Sequence, residues 1–149
     1  MISTSQKLFI LTDTGPLVAL ISRNDKNHTR SLEALKSLPK TPLTTIWPCF
    51  TEAMYLLGRD GGFAAQSELL GFLKAGVLRI WNPNPEQAPI LEQRIGEIMA
   101  TYRELPCDMA DAAIVAVAEL ENTNRIFTLD RHFYAYRMSD GSAFELLPP

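Results

Sequence analysis

The feature that most constrains the fold is residues 109–118, a run in which Asp111 is the one polar side chain. Most of these residues are small or good helix formers, so the run predicts a helix. A helix that is apolar on all sides belongs in a protein interior. Its first turn nevertheless carries two carboxylates, Asp108 and Asp111, which lie on one face because they are three residues apart. Buried carboxylates are unfavourable unless they are paired, hydrogen-bonded or bound to a metal ion, so this pair needs an explanation.

A purely structural explanation of the pair is available. Pro106 ends the preceding segment, Asp108 suits the N-cap position, and Asp111 then falls at the third helical position, as in a capping box. The helix dipole also favours acidic residues in the first turn. On this stretch alone, the structural and the functional interpretation both stay open.

The rest of the chain alternates between short apolar runs and amphipathic segments. Strands are predicted at residues 7–11, 42–46, 77–81 and 125–129, and residues 143–147 could add an edge strand. Helices are predicted at 17–21, 29–38, 48–57, 63–75 and 86–104, in addition to the buried helix. Strands separated by helices predict an α/β protein with a mainly parallel sheet.

The composition sets limits on the class of protein. A chain of 149 residues is expected to form a single domain, residues 1–149. No apolar run approaches the roughly 20 residues that span a bilayer, and no leader peptide is recognised, so no membrane association is expected. Two distant cysteines, Cys49 and Cys107, indicate a reducing, cytoplasmic location. The net charge of −3 excludes a general basic surface, so a polyanionic substrate would need local basic side chains or bound cations.

Five acidic residues are expected to converge on one edge of the predicted sheet. Asp13 and Asp130 each follow an apolar strand, and Glu52 lies early in the helix after another strand. The buried helix leads through a short turn into a strand, so its N-terminus, with Asp108 and Asp111, faces the same carboxyl edge. Ligands of open α/β sheets bind outside that edge.

Such a cluster of acids predicts a metal centre. Clustered carboxylates repel one another unless cations neutralise them, and oxygen ligands favour Mg²⁺ or Mn²⁺ over Zn²⁺. Each acid also has an ordinary explanation as a turn residue, a helix cap or a partner of a helix dipole. Those explanations do not account for the convergence, so we favour a metal site suited to phosphodiester hydrolysis.

Four stretches, residues 10–17, 51–53, 108–112 and 127–133, resemble the PIN-domain ribonucleases, close to the VapC-like toxin branch. The resemblance implies a three-layer α/β/α fold, divalent-metal-dependent cleavage of RNA, a homodimer and, often, a cognate antitoxin protein. Carried over by position, the acidic quartet that would serve catalysis and metal binding is Asp13, Glu52, Asp111 and Asp130. Thr128 matches a supporting hydroxyl, and Asp108 is a supporting residue or a cap.

Two positions depart from the pattern of this family. Gly15 stands where many relatives have Asn, and His132 stands where many have an acid, which leaves open whether one ion or two are held. Five basic residues are candidates for phosphate contacts: Arg23, Lys26, Arg30, Arg59 and Arg131.

Two other functions remain as alternatives. One is a PIN-fold module with weak or no catalysis that binds RNA or a protein. The other is a phosphatase with Asp13 as nucleophile, but the second Asp of the Asp-x-Asp motif expected there is replaced by Gly15.

Overall fold

The computed structural model describes residues 10–149. Their central sheet has five parallel strands in the order β3-β2-β1-β4-β5. The strands are β1 (Leu11–Thr12), β2 (Leu43–Ile46), β3 (Leu78–Trp81), β4 (Arg125–Phe127) and β5 (Glu145–Leu147). The predicted edge strand therefore exists, and it is parallel to β4. Of the first predicted strand, residues 7–9 lie outside the described residues.

Helices cover both faces of the sheet. The α-helices are α1 (Thr14–Ile21), α2 (His28–Ser37), α3 (Trp47–Lys74), α4 (Gln87–Thr101) and α5 (Met109–Glu121), and a 3₁₀ turn spans Arg131–Tyr134. One apolar core packs α4 and α5 against the sheet, and a second packs α1, α2 and α3 against the other face. The fold is thus the three-layer α/β/α arrangement. No helix within residues 10–149 is long and apolar enough to cross a membrane.

Helix α5 occupies the interior, as its composition predicts. Residues 112–118 are all buried, with Ile114, Val115 and Ala116 fully inaccessible to solvent. The helix ends at Asn122, whose left-handed backbone (φ 54°) closes the C-terminus. The chain then turns into β4, so the N-terminus of α5 lies at the carboxyl edge of the sheet, as expected.

Helix α3 consists of two helical segments, as predicted, which join across a kink. Its 28 residues bend at Gly62, whose backbone (φ 69°, ψ −166°) is not helical. The break expected around residues 59–62 is therefore confirmed, at Gly62. After the kink Leu69 is buried, whereas Leu70 is 40% exposed. Leu70 is the residue next to Leu69, so the two project on different sides of the helix.

We expect Gly62→Ala to lower the free energy of unfolding by about 1–3 kcal/mol, because this region of backbone conformation is accessible almost only to glycine. A methyl group at Gly62 would meet no atom within 4 Å, so the loss would come from the backbone alone. Gly71→Ala, also in α3 and equally open, is the matched control. It should leave stability unchanged or raise it, since alanine favours helix. Urea unfolding measures the difference in free energy of unfolding between the two variants. If the two are equally stable, the backbone of Gly62 does not disfavour alanine as argued.

Candidate active site

A cleft of about 500 Å³ opens at the carboxyl edge of the sheet. All five carboxylates singled out from the sequence line it, which confirms that the fold brings them to one place. Among the described residues that line the cleft, none is lysine or arginine, and the one basic side chain is His132, whose Nδ1 lies 2.7 Å from Asp130 Oδ1. The acids are Asp13, Glu52, Asp108, Asp111 and Asp130.

Asp13 lies at the floor of this cleft, where β1 ends and α1 begins, and is only 7% exposed. Its Oδ1 accepts a hydrogen bond from the Thr14 backbone N–H at 2.8 Å and one from the Cys49 thiol at 3.5 Å. Its Oδ2 accepts one from the Thr128 hydroxyl at 2.8 Å. Burial raises the pKa of Asp13, and these three donors counteract part of that increase. The carboxylate is therefore held in one orientation.

Thr128 connects two of the acids. Its hydroxyl donates to Asp13 and accepts from the backbone N–H of Asp130 at 3.0 Å. Asp130 in turn caps the 3₁₀ turn, because its Oδ1 accepts from the backbone N–H of His132 at 2.9 Å. Thr128 is 2% exposed, so no water competes strongly for these bonds. A single hydroxyl thereby fixes the spacing between Asp13 and the segment that carries Asp130.

Asp108 and Asp111 form the capping box that the sequence predicts. Asp108 Oδ1 accepts from the Asp111 backbone N–H at 2.9 Å, and Asp111 Oδ2 accepts from the Asp108 backbone N–H at 3.2 Å. Burial, together with the charges of Asp108, Asp13 and Asp130, raises the pKa of Asp111 to about 7, against the lowering effect of the backbone hydrogen bond. The structural and the functional interpretations of this pair are therefore compatible, because the cap projects into the cleft.

Glu52 stands further out on α3, with its side chain exposed. Partial loss of solvation raises its pKa, and the charges of Asp108 and Asp13 add to that effect. Glu52 thus experiences the field of the other acids although it contacts solvent. It forms the outer wall of the same cleft.

The five basic candidates do not line this cleft. Arg30 donates to the Pro149 carbonyl oxygen, Arg59 pairs with Asp60, and the Arg131 guanidinium lies 5.7 Å from the centre of the Tyr134 ring.

Cys49 and Thr14 were not anticipated beside Asp13. Cys49 lies 36 residues further along the chain than Asp13, and no sequence pattern predicts the contact between them.

The donor chemistry of the cleft fits a hard divalent cation, since several carboxylates line it and no lysine or arginine is among its described lining residues. Within residues 10–149, however, no group of three or more His, Cys, Asp or Glu side chains is arranged to hold an ion on its own. Mg²⁺ commonly retains several waters and uses only one or two carboxylates, together with phosphate oxygens of a substrate. The residues present are compatible with that open mode of binding.

The raised pKa of Asp111 predicts how the stability of the metal-free protein depends on pH. Its folded-state pKa exceeds the unfolded value of 3.8, so the folded state binds more protons between about pH 4 and pH 7. Stability should therefore fall as pH rises through this range, and the raised pKa values of Asp13 and Glu52 act in the same direction. We expect a lower melting temperature at pH 8 than at pH 5, measured with EDTA. Asp111→Asn should flatten this dependence. If the melting temperature of the variant changes with pH as steeply as that of the wild type, the raised pKa of Asp111 is contradicted.

Comparisons with known proteins identify the family of this chain. The family model for the PIN domain matches residues 10–138. A curated relative, ribonuclease VapC26 of Mycobacterium tuberculosis, is 26% identical over 140 residues, which cover 93% of this chain and 100% of the relative.

Solved structures share the fold. The crystal structure of Mycobacterium tuberculosis VapC20, described as a sarcin-ricin loop cleaving toxin, superimposes with a TM-score of 0.74 at 22% identity, covering 85% of this chain and 93% of that one. A toxin-antitoxin complex from Klebsiella pneumoniae gives a TM-score of 0.60 at 18% identity, covering 81% and 86%. The family model spans most of the chain, including every acid of the cleft, and the chain therefore belongs to the PIN domain family, with VapC proteins among the relatives that it resembles in sequence and in fold.

Proposed function

We propose that this protein is a divalent-metal-dependent endoribonuclease that hydrolyses RNA phosphodiester bonds. The observation that carries this proposal is the convergence of Asp13, Glu52, Asp111 and Asp130 on a cleft without lysine or arginine among its described lining residues. A cleft of that charge repels a polyanion unless cations are bound in it. Membership of the PIN domain family and the similarity to a protein named as a ribonuclease support the choice of RNA as substrate.

In this proposal Asp13, Glu52, Asp111 and Asp130 hold Mg²⁺ or Mn²⁺. When bound, such an ion polarises the phosphodiester and makes a water molecule more acidic. Asp13 is pre-oriented by Thr14, Cys49 and Thr128, so little reorganisation is needed at this carboxylate. Asp111 has a pKa of about 7 before any cation is present, so a bound cation would favour its ionised form.

We also propose that the protein acts as the toxin of a toxin–antitoxin pair, as a homodimer in the cytoplasm. Similarity to a structure described as a toxin-antitoxin complex supports an antitoxin partner. Large apolar side chains exposed along α3, including Tyr55 at 66% and Phe63 at 74%, provide surface that a protein partner or a second copy could cover. Two free cysteines, Cys49 and Cys107, suit a reducing compartment.

Cleavage of RNA by the purified protein, freed of any copurifying antitoxin, tests this function. Total cellular RNA and a short ribosomal RNA hairpin would be incubated with Mg²⁺ or Mn²⁺, with EDTA, and with an Asp13→Asn variant purified in the same way to control for contaminating nucleases. We expect discrete cleavage products only with wild-type protein and metal. RNA that stays intact with every cation would favour the alternative, a catalytically inactive module that binds RNA or protein.

A further inference from the structure

His132 differs in chemistry from every other ionisable side chain in the wall of the acidic cleft. Among the described lining residues it is the one that bears a nitrogen donor or acceptor in its side chain, and the rest of the polar wall is made of carboxylates and one hydroxyl. The imidazole is half-exposed, with 49% of its side chain accessible. Its position is set by the 3₁₀ turn Arg131–Tyr134, which follows Asp130 directly.

Asp130 fixes the orientation of this ring. The same oxygen, Asp130 Oδ1, lies 2.9 Å from the His132 backbone nitrogen and 2.7 Å from ring atom Nδ1. A carboxylate oxygen accepts hydrogen bonds, so the proton of this contact belongs on Nδ1. In the neutral ring the lone pair is then on Nε2, the nitrogen that Asp130 does not engage.

A carboxylate bonded to one imidazole nitrogen, with the other nitrogen unengaged, is the arrangement in which histidine binds metal ions. The carboxylate selects the tautomer and increases the basicity of the nitrogen that binds. Imidazole nitrogen suits first-row transition metals, whereas Mg²⁺ is bound almost wholly by oxygen. Resting on the metal-dependent function proposed above, we infer that His132 contributes Nε2 to the metal centre, with Asp130 as the carboxylate that orients the ring and not as a ligand of the same ion. This nitrogen makes the centre favour transition-metal cations such as Co²⁺ over Mg²⁺.

The chain offers a matched control, because it contains only two histidines. His28 also has its Nδ1 bound to an oxygen, the Ala19 carbonyl at 2.7 Å, but it does not line the cleft. Tag-free wild-type protein, His132→Ala, His132→Asn and His28→Gln would be loaded with Mn²⁺ and examined by pulsed electron paramagnetic resonance, which detects a coordinated imidazole through its ¹⁴N coupling. Calorimetric titrations with Co²⁺ and with Mg²⁺ would give the dissociation constants.

We expect the ¹⁴N coupling in wild-type protein and His28→Gln, and its loss in both His132 variants. The Co²⁺ dissociation constant should rise about tenfold or more on losing His132, and that of Mg²⁺ by less than about threefold. His132→Asn retains a group that can donate to Asp130, so it guards against misfolding of the alanine variant. Coupling that survives in a folded His132 variant, or is missing from metal-loaded wild type, overturns this inference but leaves the metal-dependent function standing. A wild-type protein that binds none of the three cations overturns both.

Discussion

Replacing Asp111 with asparagine is expected to lower the rate of RNA cleavage by about a hundredfold to a thousandfold, the usual loss when an electrostatic group is removed from an active site. The same substitution should raise the melting temperature of the metal-free protein at pH 8. Asp111 has a pKa near 7 because it is half-buried among Asp108, Asp13 and Asp130, so at pH 8 its charge opposes folding. Asparagine keeps an oxygen that can accept from the Asp108 backbone N–H, so the capping contact survives.

Asp108→Ala is the informative comparison, since the two residues share one capping box. Asp108 accepts from the first turn of α5 at 2.9 Å, and loss of an N-cap typically lowers the free energy of unfolding by about 1 kcal/mol. Its effect on cleavage should be smaller than that of Asp111→Asn. Melting curves and single-turnover cleavage rates of both variants show which of the two residues serves stability and which serves cleavage. If Asp111→Asn melts much lower and Asp108→Ala loses activity, the two roles are exchanged.

The position of the site follows from the sequence for a simple physical reason. Parallel strands have their carboxyl ends at one edge, so a residue that follows a strand is placed without knowledge of any contact. Asp13 and Asp130 are located in this way, although β4 ends at Phe127, two residues earlier than predicted. Asp108 and Asp111 are located by the direction of α5, which its buried composition and the short turn at Asn122 determine.

The contacts inside the cleft do not follow from the sequence. The Cys49 thiol reaches Asp13 because α3 begins directly after β2 and packs beside α1, an approach between segments 36 residues apart. The bond between His132 and Asp130 depends on a 3₁₀ turn that was not predicted. Local patterns predict elements and edges, whereas hydrogen-bond partners depend on how those elements pack.

Addition of Mn²⁺ is expected to raise the melting temperature of the wild-type protein by about 5–10 °C. A ligand that binds only the folded state at a hundredfold excess over its dissociation constant stabilises it by about 2.7 kcal/mol. For a domain of this size, each kcal/mol shifts the melting temperature by roughly 2–4 °C. The physical origin is the uncompensated charge of the cleft, where burial and neighbouring carboxylates raise the pKa of Asp13, Glu52 and Asp111. A bound cation removes that repulsion.

The double variant Asp13→Asn with Asp111→Asn separates a specific metal centre from general binding of cations to an acidic protein. It should melt higher than wild type in EDTA, because two unfavourable charges are gone, and it should no longer respond to Mn²⁺. Asp60→Asn is the matched control, since Asp60 is an exposed acid paired with Arg59 outside the cleft. That variant should keep the full response, because exposed ion pairs contribute little to stability. A wild-type melting temperature that is indifferent to millimolar Mn²⁺ would falsify the metal centre, and the ribonuclease proposal would then rest on family membership alone.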